Sequence, residues 1–323
     1  MNQTVPFSEV LTLARDLSNW GRWGAEDERG TLNFVTPEKV REAAGCVRTG
    51  RSFSLALPFD KSGPQSGARR FNPMLFLTLD GGDIVTNAIQ HLPRYAGYER
   101  HSRFTDDVWV LPSQCGTQWD ALAHCLHDGH TYNGFEAKEV TSWGALRCGI
   151  QVWSRDINTR GVLLDIARYK GVDALETGYA ITSDDLAGCA EAQKVEVREG
   201  DILIIRTGQM GACRKAGVWG EYAGGDAPGL CLFSSRWLRE KRVAGVATDT
   251  WGVEVRPNQV PEAHQPFHIV AIVYMGLLLG EIFALEELAD DCAQDGQYDF
   301  LFVAPPIPVT GAVGSPINPI AIK

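Results

Sequence analysis

The chain has 323 residues, 44% of them hydrophobic and 22% charged, which is enough apolar material to bury a large core. Forty acidic side chains against thirty basic ones leave a net charge of −10, so no basic surface is on offer to a nucleic-acid backbone. The longest apolar run, 269–280, falls short of the roughly 18–20 residues a membrane-crossing helix needs, and the opening MNQTVPFSEV has no leader character, so a cytoplasmic protein is expected.

In chain order, Thr36-Pro37-Glu38 supplies a capping hydroxyl, a proline at the first helical position and a first-turn acid, opening a helix that runs to Gly45 or Gly50. Phe53, Leu55 and Leu57 then alternate with Ser52, Ser54 and Ala56, the period of a strand with one buried face. Apolar runs predict further strands at 74–79, 108–111, 150–153, 161–166, 201–206 and 243–247. Ser183-Asp184-Asp185 and Ser234-Ser235 read as helix N-caps, and 285–292 as an acid-started helix. Helices and strands interleave without repeats or a long linker, which predicts one α/β domain over 1–323 with a mixed central sheet flanked by helices. The tail 305–323 carries Val309, Val313, Ile317, Ile320 and Ile322, so it reads as an ordered strap across the body or a partner subunit.

The densest set of metal-capable side chains lies in QCGTQWDALAH, residues 114–124, with Gln114, Gln118, Asp120 and His124 all at even positions. Fully extended, this stretch would span roughly 33 Å, so the four converge only if the chain bends, as Gly116 permits. A polar loop with a hydrogen-bonded Asp and His is the plain alternative. A second cluster is separated in sequence but predicted close in space. From His268, seven helical steps climb about 10 Å to Met275, and after Gly276 four strand steps return about 13 Å to Glu281, bringing His268 and Glu281 level. Here the alternative is a core helix with a capping His and a surface Glu.

Other chemistry is weaker. No GxSxG elbow occurs. Eight dispersed cysteines form no CxxC pair, and Cys115, the one near a histidine, reads more readily as a packed thiol than as a nucleophile. His127 and His130 flank an Asp128-Gly129 turn, which favours a surface loop over a metal site. Gly208-Gln209-Met210-Gly211 lacks the first glycine of a dinucleotide loop. Trp20, Trp23 and Trp119 could wall a pocket for a flat, unsaturated ring.

These residues carry a family resemblance. QCGTQWDALAH is similar to the HxGTHxDxPxH mark of the cyclase family of metal-dependent hydrolases, with Gly116, Thr117, Asp120 and His124 matching, glutamine at both leading histidine positions and Leu122 for the proline. WGRWG, GTLN, DILIIRTG, DTW and LGEIFALEEL extend the resemblance over most of the chain, and the glutamine form also resembles the motif of trans-dienelactone hydrolase. The resemblance implies a kynurenine formamidase-like fold of the swivelling β/β/α type. It implies that Gln114, Gln118 and Asp120 ligate a divalent metal, zinc or manganese, with His268 and Glu281 completing the site or binding a second ion, and that His124 is the acid/base residue. The implied reaction is metal-dependent hydrolysis of a small cyclic ester or cyclic amide by activated water. The alternatives are arylformamidase-like cleavage of a linear amide and a metal-free binder of small molecules on the same fold. It also implies a homodimer or larger assembly with the site near the subunit interface.

Overall fold

The computed structural model describes residues 3–67, 69–86 and 104–323. Nine strands form one mixed sheet in the order Ser52–Ser54, Ile320–Ile322, Asp299–Val303, Asn158–Asp165, Ile202–Arg206, Gly245–Thr248, Leu278–Glu281, Gln118–Asp120 and Gly314–Pro316. The four strands from Asn158–Asp165 to Leu278–Glu281 are parallel, and the outer pairings are antiparallel. Buried on both faces, the parallel strands read as nearly continuous apolar runs, such as the fully buried Ile202, Leu203, Ile204 and Ile205.

The sheet is strongly curled, and the C-terminal tail shows why. Gly314–Pro316 lies at one edge and Ile320–Ile322 is the second strand from the other. Seven strand spacings of about 4.8 Å would separate them by about 34 Å if the sheet were flat, yet the link from Pro316 to Ile320 reaches at most about 14 Å. The two ends of the sheet therefore come round toward each other. Leu55 bridges the gap, accepting from Ala284 N and donating to Pro319 O, at 2.9 and 2.8 Å. The expected strap is thus two integral strands.

Local chemistry sets the helices around this sheet. Pro37–Ala44 starts on the Thr36 hydroxyl, which accepts from Lys39 N, and Ser183–Ala192 starts one residue before the expected cap, in a Thr182/Asp185 capping box. Ser234–Lys241 and Glu286–Asp295 lie at the expected helices, but Ser234 and Ser235 are inside the first turn and donate to Ile181 O and Leu232 O instead of capping it. Phe7–Leu17 and Gln209–Ala216 are helices not anticipated from the sequence. Residues Ile150–Trp153 form a 3-10 helix rather than a strand. Val152 N reaches back to Gly149 O and Ser154 N to Gln151 O, so the buried Ile150 and Trp153 recur at period three. Met74–Leu79 and Asp106–Val110 pair as an antiparallel ribbon outside the main sheet.

No helix among the described residues is long and apolar enough to cross a membrane.

Candidate metal centre

The centre forms where two antiparallel strands meet. Gln118 lies opposite Glu281 and Asp120 opposite Leu279. Side chains alternate along a strand, so Gln118, Asp120 and Glu281 share one face while Trp119 and Gly280 share the other. A Cβ on Gly280 would stand 2.3 Å from the Trp119 ring, so glycine there is what lets the indole lie flat against the strand.

His268 reaches the same face from the predicted hairpin. It ends the short helix Pro266–His268, and the backbone continues as a π-helix, Ile269–Met275, that stops at Gly276 in the left-handed conformation. A π-turn is a rare form frequently found at functional sites. His268 Nε2 stands 3.3 Å from Glu281 Oε1 and 3.9 Å from Asp120 Oδ2. Ligand atoms of Asp120, His268 and Glu281 all lie within 4.8 Å of one another, and all three residues are buried.

Gln118 joins them by donating from Nε2 to Glu281 Oε2 at 2.5 Å. Its Oε1 and both carboxylate oxygens of Asp120 are buried with no hydrogen-bond partner. Three orphaned oxygens beside a second carboxylate are costly unless a cation satisfies them. The donor set therefore fits a divalent ion, with oxygens from Gln118, Asp120 and Glu281 and one imidazole nitrogen.

Sequence reasoning missed Glu254, which hydrogen-bonds His268 Nδ1 at 2.7 Å on the side away from the cluster. Fourteen residues separate the two, with no periodic or motif signal to join them. Burial opposes a charge on His268, but the hydrogen bonds to Glu254 and Glu281 outweigh it and hold the imidazole up at about 10. Burial raises the Asp120 carboxyl above its ordinary range, with Glu281 adding to the effect and His124 opposing it. Backbone strain flanks both glutamates. Val253 and Ile282, each β-branched, adopt φ of +56° and +61° on the residues next to Glu254 and Glu281.

His124 and Gln114 form a neighbouring pair. His124 Nε2 is 3.7 Å from Asp120 Oδ1, and Gln114 Nε2 lies 3.4 Å from His124 Nδ1. Gln114 thus contacts His124 rather than the carboxylates. Gly314 makes room for its amide, since a Cβ there would lie 2.4 Å from Gln114 Nε2.

The three tryptophans expected as pocket walls lie elsewhere. Trp119 is wholly buried against Phe283 and Phe302, donating to Ala304 O at 2.8 Å, because its odd position turns it into the core. Trp20 stacks on Tyr274 and donates to Val273 O, and Trp23 packs edge-on against Phe34. The cavity that opens onto His124 and His268 is instead walled by Trp251. The thiols are unsuited to attack, since burial pushes Cys115 up to about 11 and Cys125 to about 12. His127 and His130 flank a tight turn with Asp128 and Gly129 at positive φ, as expected for a loop.

Several recurring strings prove to be supports. Thr31 donates from Oγ1 to the carbonyls of Ala244 and Gly276, tying GTLN to the turn of the His268 hairpin. Asp249 of DTW accepts from Thr207 N, Thr207 Oγ1 and Gly208 N of the RTG segment, locking the ends of two parallel strands.

Comparison with known proteins agrees with this architecture. The crystal structure of a novel cyclase superposes with a TM-score of 0.84 at 38% identity, covering 96% of this chain and 99% of that one. Isatin hydrolase A from Labrenzia aggregata, bound to benzyl benzoate, has a TM-score of 0.59 at 16% identity, covering 86% and 94%. A predicted metal-dependent hydrolase from Bacillus stearothermophilus has a TM-score of 0.50 at 16% identity, covering 84% and 97%. At that identity the last two share the fold. No curated protein matches the sequence significantly. The Cyclase family model matches residues 53–255, well over half of the chain, and the chain belongs to the cyclase family.

Proposed function

We propose that the chain is a metal-dependent hydrolase that opens a small cyclic ester or cyclic amide. The observation that carries this reading is the set of buried, unpartnered oxygens on Gln118 and Asp120 beside Glu281 and His268. Asp120, His268 and Glu281 would hold the ion and Gln118 would add its amide oxygen. Gln114 is assigned to His124 instead. When bound, a divalent ion supplies Lewis acidity that polarises a carbonyl and lowers the pKa of water. The oxygen-rich set favours manganese, and the imidazole keeps zinc in contention.

His124 is assigned the proton transfer. It faces the cavity, partly exposed, beside Gln114, and would carry a proton from water to the leaving oxygen or nitrogen. Trp251 offers the flat wall a planar ring needs. A homodimer is part of the proposal, supported by the ribbon of Met74–Leu79 and Asp106–Val110. Leu75, Phe76, Leu77 and Trp109 are each more than half exposed there, and a two-stranded ribbon is marginal without a surface to cover it.

Metal analysis of the purified protein before and after chelation, beside hydrolysis of a lactone and amide panel, tests this. Near-stoichiometric zinc or manganese, with activity lost on chelation and restored by the ion, is expected. A protein that neither contains nor takes up either ion overturns the hydrolase and leaves a small-molecule binder on the same fold.

A further inference from the structure

The cavity above the centre has a volume of about 360 Å³ and an unusual charge balance for this chain. The protein carries forty acids to thirty bases, yet no acid is among the described residues that line this space, while Arg69 and Arg70 both do. Neither arginine has an ion-pair partner among the described residues, whereas Arg147, Arg160, Arg168 and Arg206 are each paired with carboxylates.

Arg70 is held as a platform rather than neutralised. Its guanidinium carbon lies 4.9 Å from the centroid of the Trp251 ring, and Nη1 reaches the Gln114 carbonyl at a long 3.4 Å. Trp251 is itself fixed, donating from Nε1 to Gln65 Oε1 at 3.3 Å, and Gln65 ties the arginine loop to the ligand loop through Cys115 O at 2.9 Å. A guanidinium has five N–H donors, and among the described residues this one makes a single weak hydrogen bond, which leaves donors for an acceptor. Because Gln114 also touches His124, these donors lie one residue from the proton-transfer group.

We infer that Arg70, assisted by Arg69, is the specificity residue for an anionic group, and that the molecule acted on carries a carboxylate on the Trp251 side of the bond to be cleaved. This rests on the hydrolase reading for its second half alone. A planar carboxylate matches the in-plane edge of a guanidinium by two parallel hydrogen bonds, and stacking on indole leaves that edge open. The bulk charge of the protein repels anions, so these two arginines localise the attraction to the mouth of the site.

The test is calorimetric titration of the full-length protein, metal-loaded and again after chelation, with furan-2-carboxylate, its neutral isostere furan-2-carboxamide, and inorganic phosphate. The carboxylate is expected to bind at least about tenfold tighter than the other two, and Arg70→Gln to remove at least about tenfold of that binding while leaving the carboxamide unchanged. Arg70→Lys should restore only part, since an ammonium cannot make the paired contact. A melting curve matching the wild type shows that the variants are folded. Equal carboxylate binding by wild type and Arg70→Gln overturns the inference, as does no binding at millimolar concentration, a preference for phosphate, or binding that vanishes on chelation. Because the readout is binding, failure of every lactone and amide to turn over would sink the hydrolase reading and leave Arg70-dependent binding standing.

Discussion

Glu254 grips His268 at two points, accepting from its Nδ1 at 2.7 Å and from its backbone N–H at 3.0 Å, while its other oxygen takes the N–H of Phe267 at 3.0 Å. With the proton held on Nδ1, the lone pair of Nε2 is directed at the cluster of Asp120 and Glu281. Such outer carboxylates orient the ring and raise its basicity, and losing one typically costs about 10–100-fold in metal affinity. Glu254→Gln should weaken zinc or manganese binding by that factor, measured by competition with a chromophoric chelator. Unchanged affinity would mean that the strained Val253 backbone, not the carboxylate, sets the imidazole.

The same contacts make metal uptake a proton-releasing step. Without an ion, His268 is held protonated up to about 10 by Glu254 and Glu281 despite its burial, and burial raises Asp120 as well. An ion and a proton compete for His268 Nε2, so affinity rises with pH until the imidazole titrates, then levels. At pH 7, binding should release about one proton per ion, decreasing as pH approaches 10. Calorimetry in buffers of different ionisation enthalpy reads this directly. No release at pH 7 would show that the imidazole is neutral before the ion arrives.

His124 contacts Asp120 only at 3.7 Å and is more exposed than the buried His268. Its loss should therefore spare the ion while removing proton transfer, lowering turnover by about 10²–10⁴ in His124→Ala. Metal content measured on the same preparation must stay at the wild-type value. Wild-type turnover removes His124 from the chemistry.

Much of the centre was legible because its parts obey local periods. The even spacing of Gln118 and Asp120 becomes a strand face, and the helix-turn-strand arithmetic around Gly276 does bring His268 level with Glu281. Trp119 was misread as a pocket wall although the same alternation that gathers Gln118 and Asp120 turns it inward. Glu254, Arg69 and Arg70 carried no signal, since they meet the centre through folding of distant loops rather than through spacing. The 3-10 helix at Ile150–Trp153 failed as a strand because four apolar-leaning residues fit either period.

If the exposed ribbon is covered by a second copy, charges on it must separate the subunits. Leu75 and Trp109 are cross-strand partners, exposed by 57% and 58%. Leu75→Lys or Trp109→Lys should halve the mass seen by light scattering while leaving the melting curve of the core intact. A wild-type protein that is already monomeric at micromolar concentration refutes the homodimer.

Gly276 is the pivot that returns the chain from His268 to Glu281, and two separate demands fall on it. Its φ is +62°, and a Cβ would lie 2.4 Å from the Tyr132 ring, which is itself fully buried. Gly296 has a similar φ of +74° with nothing within 4 Å, so Gly296→Ala isolates the conformational cost, about 1–2 kcal/mol. Gly276→Ala adds about 1–3 kcal/mol of overpacking. Its melting temperature should therefore fall several degrees below that of Gly296→Ala. Because Thr31 clamps the Gly276 carbonyl, the ring cannot yield without moving the turn, and metal affinity should drop in Gly276→Ala alone. Equal melting temperatures and equal metal affinities in the two variants would show that the turn bends freely and does not set the distance between His268 and Glu281.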